Sequence, residues 1–392
     1  MQTAYIVAGF RTAVGKAKKG GFRFYRSDDL AVEVIKGLLN TVPQLDRKLI
    51  DDVIVGNAVP EAEQGLQVGR IIANRAVGEW VPGATVNRYC ASGLETIAIA
   101  TAKIQSGMAD CIIAGGTESM SLVPTAGWRT MPNYTFATDT PDYFLGMGLT
   151  AEQVAMDFKV SREDQDAFSF RSHQRAIHAI KEGFFKEGIL PIKVKEVYVN
   201  ENGKRAEREQ VVDTDEGPRA DTSLDVLAKL PPVFAQGGTV TAGNSSQTSD
   251  GAAFVIVMSE KLMMQCNLKP WAHLKACAVA GVDPRVMGIG PIAAVPKVLK
   301  QAGLKLSDID LIELNEAFAS QSLAVIRELG MNDEIVNING GAISLGHPLG
   351  CSGAKLTIQN LHDLKRLNKK FGMVTACVGG GQGIAGIVER IF

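Results

Sequence analysis

The chain has 392 residues, of which 46% are hydrophobic and 21% charged, and its formal net charge is -1. A chain of this length is longer than the chains that usually fold around a single hydrophobic core, so we predict two or three domain-sized units. A near-neutral chain lacks the basic surface that nucleic acids require, so we expect no nucleic acid partner. No apolar run reaches membrane-spanning length, and Met1–Arg11 lacks the pattern of a signal peptide. We therefore expect no membrane association and a cytoplasmic location.

The first hundred or so residues alternate between strand and helix patterns. A helix is indicated by Leu30, Val34 and Leu38, which share one helical face. Ser92 and Glu95 have the spacing of a capping box at the start of another helix. Short apolar runs predict the strands, which are Thr3–Gly9, Asp52–Gly56 and Cys111–Ala114. This alternation is typical of an α/β fold.

The middle of the chain, Ser119–Gln236, is richer in glycine, proline and charge. It contains one strong helical pattern, which begins after the capping residue Ser161 and ends at Gly183. Glu201–Glu209 is predicted to be an exposed hairpin or loop. We interpret this region as an excursion from the α/β core that returns near Gly237 and covers a ligand.

The last third of the chain repeats features of the first. The segment LIDDVIVGNA at 49–58 resembles DIDLIELNEA at 308–317, and CASG at 90–93 resembles CSG at 351–353. The triplet AGG at 114–116 also resembles VGG at 378–380, and we expect each of these two triplets to end a strand. Three matches in the same order, offset by about 260 residues, indicate a duplicated half. The predicted units are residues 1–118 with 237–268, the inserted 119–236, and 269–392.

Two segments carry candidates for nucleophile and base. Cys90, in VNRYCASGLE, follows a strand and precedes a helix, where backbone N–H groups favour an anion. We expect a lowered pKa and a reactive thiolate there, with a buried structural cysteine as the alternative. His347 lies in the glycine-rich Asn339–Lys355, a rigid turn of the kind that presents general bases.

Two further segments are less specific by themselves. Cys377 precedes a glycine run in TACVGGGQG, but no helix follows, so a dinucleotide-binding loop is rejected. Asn315, in LNEAFA, could donate a hydrogen bond to a reacting group or could cap a helix. The six cysteines include no CxxC pair, and we expect no metal site.

Taken together, NRYCASG, NEAFA, GGAISLGHPLGCSG and CVGGGQG resemble the signatures of the thiolase family. The resemblance extends across essentially the whole chain, from VAGFRTAVGK near the start. It implies a five-layered α-β-α-β-α fold built from two duplicated halves, with an inserted loop domain, in agreement with the repeat.

The resemblance also implies roles for individual residues. Cys90 would accept the acyl group, His347 would activate it, and Cys377 would exchange a proton with the acetyl-CoA carbon. Asn315 would hold a water that stabilises an enolate oxygen with His347, and the N–H groups of Cys90 and Gly379 would form an oxyanion hole. Residues implied to bind substrate or coenzyme A are Arg219, Leu230, Ala242, Gly243, Ser246, Ala317, Phe318 and Met147.

The implied activity is thiolysis of 3-ketoacyl-CoA to acetyl-CoA and a shortened acyl-CoA, as in fatty acid β-oxidation, without a cofactor. Arg88 and Gly146 resemble degradative members, whereas biosynthetic members more often carry Gln and His there. The alternatives are a short-chain acetoacetyl-CoA thiolase, a decarboxylating condensing enzyme and a non-catalytic acyl-CoA-binding scaffold. The expected partners are acyl-CoA, coenzyme A, further copies in a homodimer or homotetramer, and a β-oxidation partner subunit.

Overall fold

The structure, a computed structural model, describes residues 2–391. The helices are α1 (Ser27–Asn40), α2 (Val68–Ala76), α3 (Ser92–Gln105), α4 (Tyr134–Asp139), α5 (Met147–Asp157), α6 (Arg162–Glu182), α7 (Leu224–Ala228), α8 (Glu260–Gln265), α9 (Gly290–Ala302), α10 (Ala319–Leu329), α11 (Ala342–Leu345) and α12 (Leu349–Arg366). The strands are β1 (Ala4–Arg11), β2 (Gly15–Lys16), β3 (Asp52–Gly56), β4 (Gly83–Val86), β5 (Cys111–Ser119), β6 (Ile192–Val199), β7 (Arg205–Val212), β8 (Ser249–Ser259), β9 (Ala272–Gly281), β10 (Leu311–Leu314), β11 (Phe371–Val378) and β12 (Gln382–Arg390).

The strands repeat one topology twice. In the first half the order is β1-β8-β5-β3-β4, and in the second it is β9-β12-β11-β10. Within each half the first two pairings are antiparallel and the next is parallel. The two sets of strands join through one residue pair, Ile6 with Ala272. This equivalence is the duplication that the sequence repeat predicts.

Helices cover both faces of each set of strands. The helices α3 and α12 pack on each other and on strands of both halves, so they form a central layer. The outer layers are α1 with α2 on the first half, and α9 with α10 on the second. At the crossing of the central helices, a Cβ on Gly93 or Gly353 would collide with the backbone of the other helix. Only glycine permits this approach, and the two residues are equivalent in the CASG and CSG repeat.

The segment between β5 and β8 contains α4 to α7 and the hairpin of β6 and β7. The predicted limits of α6 are confirmed: the Ser161 hydroxyl accepts from the Asp164 N–H, and Gly183 ends the helix in the left-handed conformation. The hairpin predicted near 201–209 is confirmed. The exact domain boundaries stay a prediction.

Two local predictions are wrong. Ser92 and Glu95 form no capping box, because the Ser92 hydroxyl bonds within the turn before α3 and Glu95 pairs with Arg88. The AGG triplet does not end β5, which continues to Ser119 because β8 supplies partners along its whole length. Within residues 2–391, no helix combines the length and the apolar character needed to cross a bilayer.

Candidate active site

A tight turn between β4 and α3 carries Cys90, in the 3-10 helix Tyr89–Ala91. Tyr89 has a φ of 43°, a left-handed conformation that costs a non-glycine residue about 1 kcal/mol or more. The Ser92 hydroxyl holds the turn by accepting from the Arg88 N–H at 2.9 Å and donating to the Tyr89 carbonyl at 2.7 Å. The strained turn therefore holds the thiol at the start of α3, at the junction that the sequence predicts.

The surroundings of Cys90 do not lower its pKa. Burial raises the pKa of the thiol to about 11, although the N–H groups of Gly379 and of Cys90 itself donate to the sulfur and oppose the shift. The expected lowering is wrong because the removal of water outweighs two backbone dipoles. The same two N–H groups converge on one point, where they can stabilise an oxyanion. A thiol in this state needs a base to become a nucleophile.

The imidazole of His347 has the hydrogen bonds and the protonation state of a neutral base. Its Nδ1 lies 2.6 Å from the Ser352 hydroxyl, which itself donates to the Pro348 carbonyl at 2.9 Å. Because the Ser352 hydroxyl already donates its proton to Pro348, its oxygen can only accept from the imidazole. The imidazole proton is therefore on Nδ1, and Nε2 carries a lone pair. Burial, with a smaller contribution from Lys355, lowers the pKa of His347 to about 4. The ring is therefore neutral at neutral pH and can accept a proton at Nε2.

Cys377 lies at the end of β11, fully buried. Burial and the neighbouring Cys90 raise the pKa of its thiol, so it is protonated at neutral pH. The turn that carries Cys90 packs against both β11 and α12. The two thiols are thus brought together from distant segments, and His347 lies just before α12, the helix against which the Cys90 turn packs.

Asn315 lies beside the base. Its side-chain nitrogen is 3.3 Å from Nε2 of His347, and its backbone N–H donates to the Thr375 carbonyl at 2.9 Å. The N-cap of α10 is Phe318 rather than Asn315. The helix-cap alternative is therefore wrong, and the amide faces the same site as the imidazole.

Most of the predicted binding residues form one wall beside Cys377. The Ser246 N–H donates to the Ala317 carbonyl at 2.9 Å, and Gly243 lies against Leu230. The buried cluster around Cys377 includes Ala317, Phe318 and Met147. Ala242 is exposed next to Gly243.

Arg219 lies in the loop before α7. Its side chain is exposed, and its backbone N–H donates to His173 Nδ1 at 3.1 Å. The same loop is connected to the segment of Ser246, because the Gln247 side chain donates to the Gly217 carbonyl at 3.0 Å. A contact of Arg219 with coenzyme A stays a prediction.

Sequence reasoning missed Glu118, which lies buried near Cys90. Its carboxylate accepts from the N–H groups of Ala58 and Gly350, both at 2.8 Å, and from the Gln64 side chain at 2.7 Å. Because Gly350 belongs to the second half, this carboxylate joins the halves beneath the site. The sequence feature that could have identified Glu118 is an acidic residue at the end of an otherwise apolar strand pattern.

Arg88 also connects the two halves. Its guanidinium pairs with Glu95 at 3.0 Å and donates to the Gln382 side-chain oxygen at 3.1 Å. The Gln382 amide in turn lies 3.4 Å from the Gly379 carbonyl, within hydrogen-bonding distance. Arg88 therefore braces the Cys90 turn against the glycine loop. Within residues 2–391, no group of three or more His, Cys, Asp or Glu side chains is placed to hold a metal ion.

Comparison with known proteins places this site in a family. The family models described as "Thiolase, N-terminal domain" and "Thiolase, C-terminal domain" match residues 4–261 and 268–390. The chain is 53% identical over 390 residues to a 3-ketoacyl-CoA thiolase of Bacillus subtilis, covering 99% of this chain and 100% of that protein. It is 42% identical over 416 residues to the 3-oxoadipyl-CoA/3-oxo-5,6-dehydrosuberyl-CoA thiolase of Escherichia coli, covering 100% of both.

A solved structure has the same fold. The crystal structure of the Bacillus anthracis acetyl-CoA acetyltransferase superimposes with a TM-score of 0.90 at 36% sequence identity. The match covers 100% of this chain and 99% of that one.

Proposed function

The chain belongs to the thiolase family, and we propose that it is an acetyl-CoA C-acyltransferase that cleaves 3-ketoacyl-CoA with coenzyme A. The observation that carries this proposal is the position of Cys90, on which two N–H groups converge, beside Cys377, with His347 just before the helix α12 that packs against the Cys90 turn. A nucleophile, a neutral base and a second protonated thiol are the groups that cleavage and re-formation of a carbon–carbon bond require.

In the first half-reaction the Cys90 thiol gives its proton to Nε2 of His347, and the sulfur attacks the 3-keto carbon. The N–H groups of Cys90 and Gly379 stabilise the oxyanion, each contributing about 3–4 kcal/mol by comparison with other oxyanion holes. The carbon–carbon bond then breaks, leaving an acyl group on Cys90 and an acetyl-CoA enolate. Protonated His347, together with a water held by Asn315, stabilises the enolate oxygen, and the Cys377 thiol protonates the carbon.

In the second half-reaction coenzyme A gives its thiol proton to the Cys377 thiolate. The resulting thiolate attacks the acyl group, and Cys90 leaves and recovers its proton from His347. Protons and charges balance without a redox or metal cofactor, and the two half-reactions predict ping-pong kinetics. The wall formed by Ser246, Ala317 and Phe318 would hold the coenzyme A moiety and the acyl chain.

A mass measurement separates an enzyme from an acyl-CoA-binding scaffold. Incubation with acetyl-CoA is expected to add one acetyl group to the peptide that contains Cys90. Cys90→Ser should abolish the adduct and nearly all turnover, because a serine hydroxyl is far less ionised than a thiol. Cys266→Ser, at a cysteine remote from the site, is the control. An unmodified Cys90 or near-normal thiolysis by Cys90→Ser would contradict the proposal.

A substrate series tests whether thiolysis extends over a broad range of ketoacyl chain lengths or is restricted to short chains. The comparison is kcat/KM for thiolysis of acetoacetyl-CoA and of 3-ketooctanoyl-CoA. We expect efficient cleavage of both, in line with the name of the B. subtilis relative. The short-chain acetyltransferase alternative is supported by the likeness to the B. anthracis structure. A strict preference for the four-carbon substrate would favour that alternative.

We propose a homodimer or homotetramer that acts in the cytoplasm and associates with a β-oxidation partner subunit. The bacterial relative supports the location, whereas plant relatives that are 42% identical carry "peroxisomal" in their names.

A further inference from the structure

A crevice of about 590 Å³ lies between the two halves, away from the thiols. Its walls come from β1, from the segment before β9, from the last turns of α12 and from the end of β12. The charged and aromatic side chains contributed by these elements are Phe10, Lys269, Trp271, His362, Lys365 and Arg390. From Ser352 to His362 the helix α12 rises about 15 Å. The volume is within the range of about 300–1,000 Å³ that is typical of small-molecule sites.

The crevice is lined by three cationic side chains, Lys269, Lys365 and Arg390, and by one anionic side chain, that of Glu187. Lys365 is paired with Glu187 at 3.0 Å. Arg390 bonds only to neutral oxygens, the Lys369 carbonyl and the Asn368 side chain, both at 2.6 Å. Within residues 2–391, Lys269 has neither a salt bridge nor a side-chain hydrogen bond. Two positive charges therefore face this crevice uncompensated, which favours an anionic ligand.

The remaining wall is aromatic and includes an unsatisfied nitrogen. The rings of Trp271 and His362 pack edge to face with centroids 5.4 Å apart. Nε2 of His362 is buried without a hydrogen-bond partner. That nitrogen lies beside Gly188, where a Cβ would come to 3.2 Å from it, and Gly188 lines a small adjoining cavity of about 10 Å³ that shares His362 with the crevice. A buried polar atom of this kind is usually satisfied by water or by a ligand.

We propose that the crevice binds a small anion that carries a planar ring, of the size of a mononucleotide. The phosphate would lie between Lys269 and Arg390, and the ring would pack on Trp271. The site is distinct from the proposed coenzyme A site, since none of the catalytic or coenzyme A residues lines it.

Tryptophan fluorescence tests the proposal, with adenosine monophosphate as the probe. The chain has three tryptophans, and Trp80 and Trp128 are exposed, so replacing both with Phe leaves Trp271 as the reporter. The titrations are run without coenzyme A and again with saturating coenzyme A, which fills its own site. We expect a saturable change with a Kd below about 1 mM, and at least about tenfold weaker binding of adenosine alone or inorganic phosphate alone. No saturable change, or a change that coenzyme A abolishes, would overturn the proposal.

Charge reversal locates the bound anion. Lys269→Glu is expected to weaken binding of adenosine monophosphate at least about tenfold while thiolysis is unchanged. Lys300→Glu, which makes the same change at an exposed position on α9 outside the crevice, is the matched control. Equal weakening by both variants would mean that only the net charge matters and would refute a site in the crevice.

Discussion

Nδ1 of His347 lies 2.6 Å from the hydroxyl of Ser352, five residues further along the chain and in the first turns of α12. The serine proton goes to the Pro348 carbonyl, so the hydroxyl oxygen is left to accept from the ring. One hydroxyl therefore determines which imidazole nitrogen can act as the base.

Replacing Ser352 with Ala removes the acceptor for the Nδ1 proton. We expect kcat/KM for thiolysis to fall about 10- to 100-fold, the value of one charge-assisted hydrogen bond, while the fold is retained. Thr357→Val is the matched control, because Thr357 bonds back to the Gly353 carbonyl in the same helix without touching His347. Equal losses in the two variants would show that the hydroxyl acts on the helix and not on the imidazole.

Cys377→Ala should separate the two half-reactions. Acetylation of Cys90 by acetyl-CoA should persist at a reduced rate, because the proposed nucleophile, base and oxyanion hole are intact and coenzyme A can leave as a thiolate without a proton from Cys377. Exchange of the acetyl-CoA methyl protons with deuterium oxide should fall by at least about 1,000-fold, since the general acid–base group is gone. Mass spectrometry measures the first and proton NMR the second. Exchange at the native rate would assign the proton transfer to another group.

The raised pKa of Cys90 predicts its response to alkylation. In the free enzyme the rate of modification by iodoacetamide should rise continuously from pH 7 to pH 9.5, because the thiolate fraction increases through this range when the pKa is about 11. The rate is measured by mass spectrometry of the Cys90 peptide, with Cys266 as an internal comparison. A plateau below pH 8 would mean that a cationic partner holds the thiolate, contrary to the neutral His347 described above.

Arg88→Ala should weaken catalysis without unfolding the protein. Loss of the contacts to Glu95 and Gln382 frees the Cys90 turn from the Gly379 loop. We expect kcat to fall about tenfold with little change in KM, because the brace positions the oxyanion donors rather than the bound substrate. Arg327→Ala removes a comparable but exposed pair with Asp164 and is the control. An effect confined to KM would contradict a positioning role.

Buried His173 should make the protein less stable in mild acid. Its pKa is lowered to about 4 by burial, with smaller contributions from Arg219 and Lys16, whereas the unfolded chain titrates near the ordinary value of 6.5. Between pH 6.5 and pH 4 the unfolded state binds more protons, so this residue removes about 1.4 kcal/mol of stability per pH unit as the pH falls. Above pH 6.5 it has no such effect.

The variant His173→Asn keeps an acceptor for the Arg219 N–H but cannot titrate. Urea unfolding at pH 7 and pH 5 should show a smaller loss of stability in the variant than in the native chain. His178→Asn, at a histidine on the same helix without that acceptor role, is the control. Identical pH dependence in the native chain and His173→Asn would refute the assignment.

Local sequence patterns determined most of the fold. The limits of α6 followed from Ser161 and Gly183, because capping chemistry acts over four residues, and the strand at Asp52–Gly56 followed from its apolar run. The duplicated topology followed from the matching of 49–58 with 308–317. Cys90, His347 and Cys377 were identifiable because each lies near a strand or helix end with a glycine within three residues.

Only the tertiary structure decided how these groups behave. The pKa of Cys90 is raised because atoms from distant segments exclude water from it, and this desolvation exceeds the local effect of the following helix. Glu118, Arg88 and the crevice around Trp271 depend on contacts across the two halves, which no local pattern specifies. The sequence by itself determined which residues could react, since backbone geometry and residue type are local. Folding determined their protonation and their partners, since burial and charge are set by everything that surrounds them.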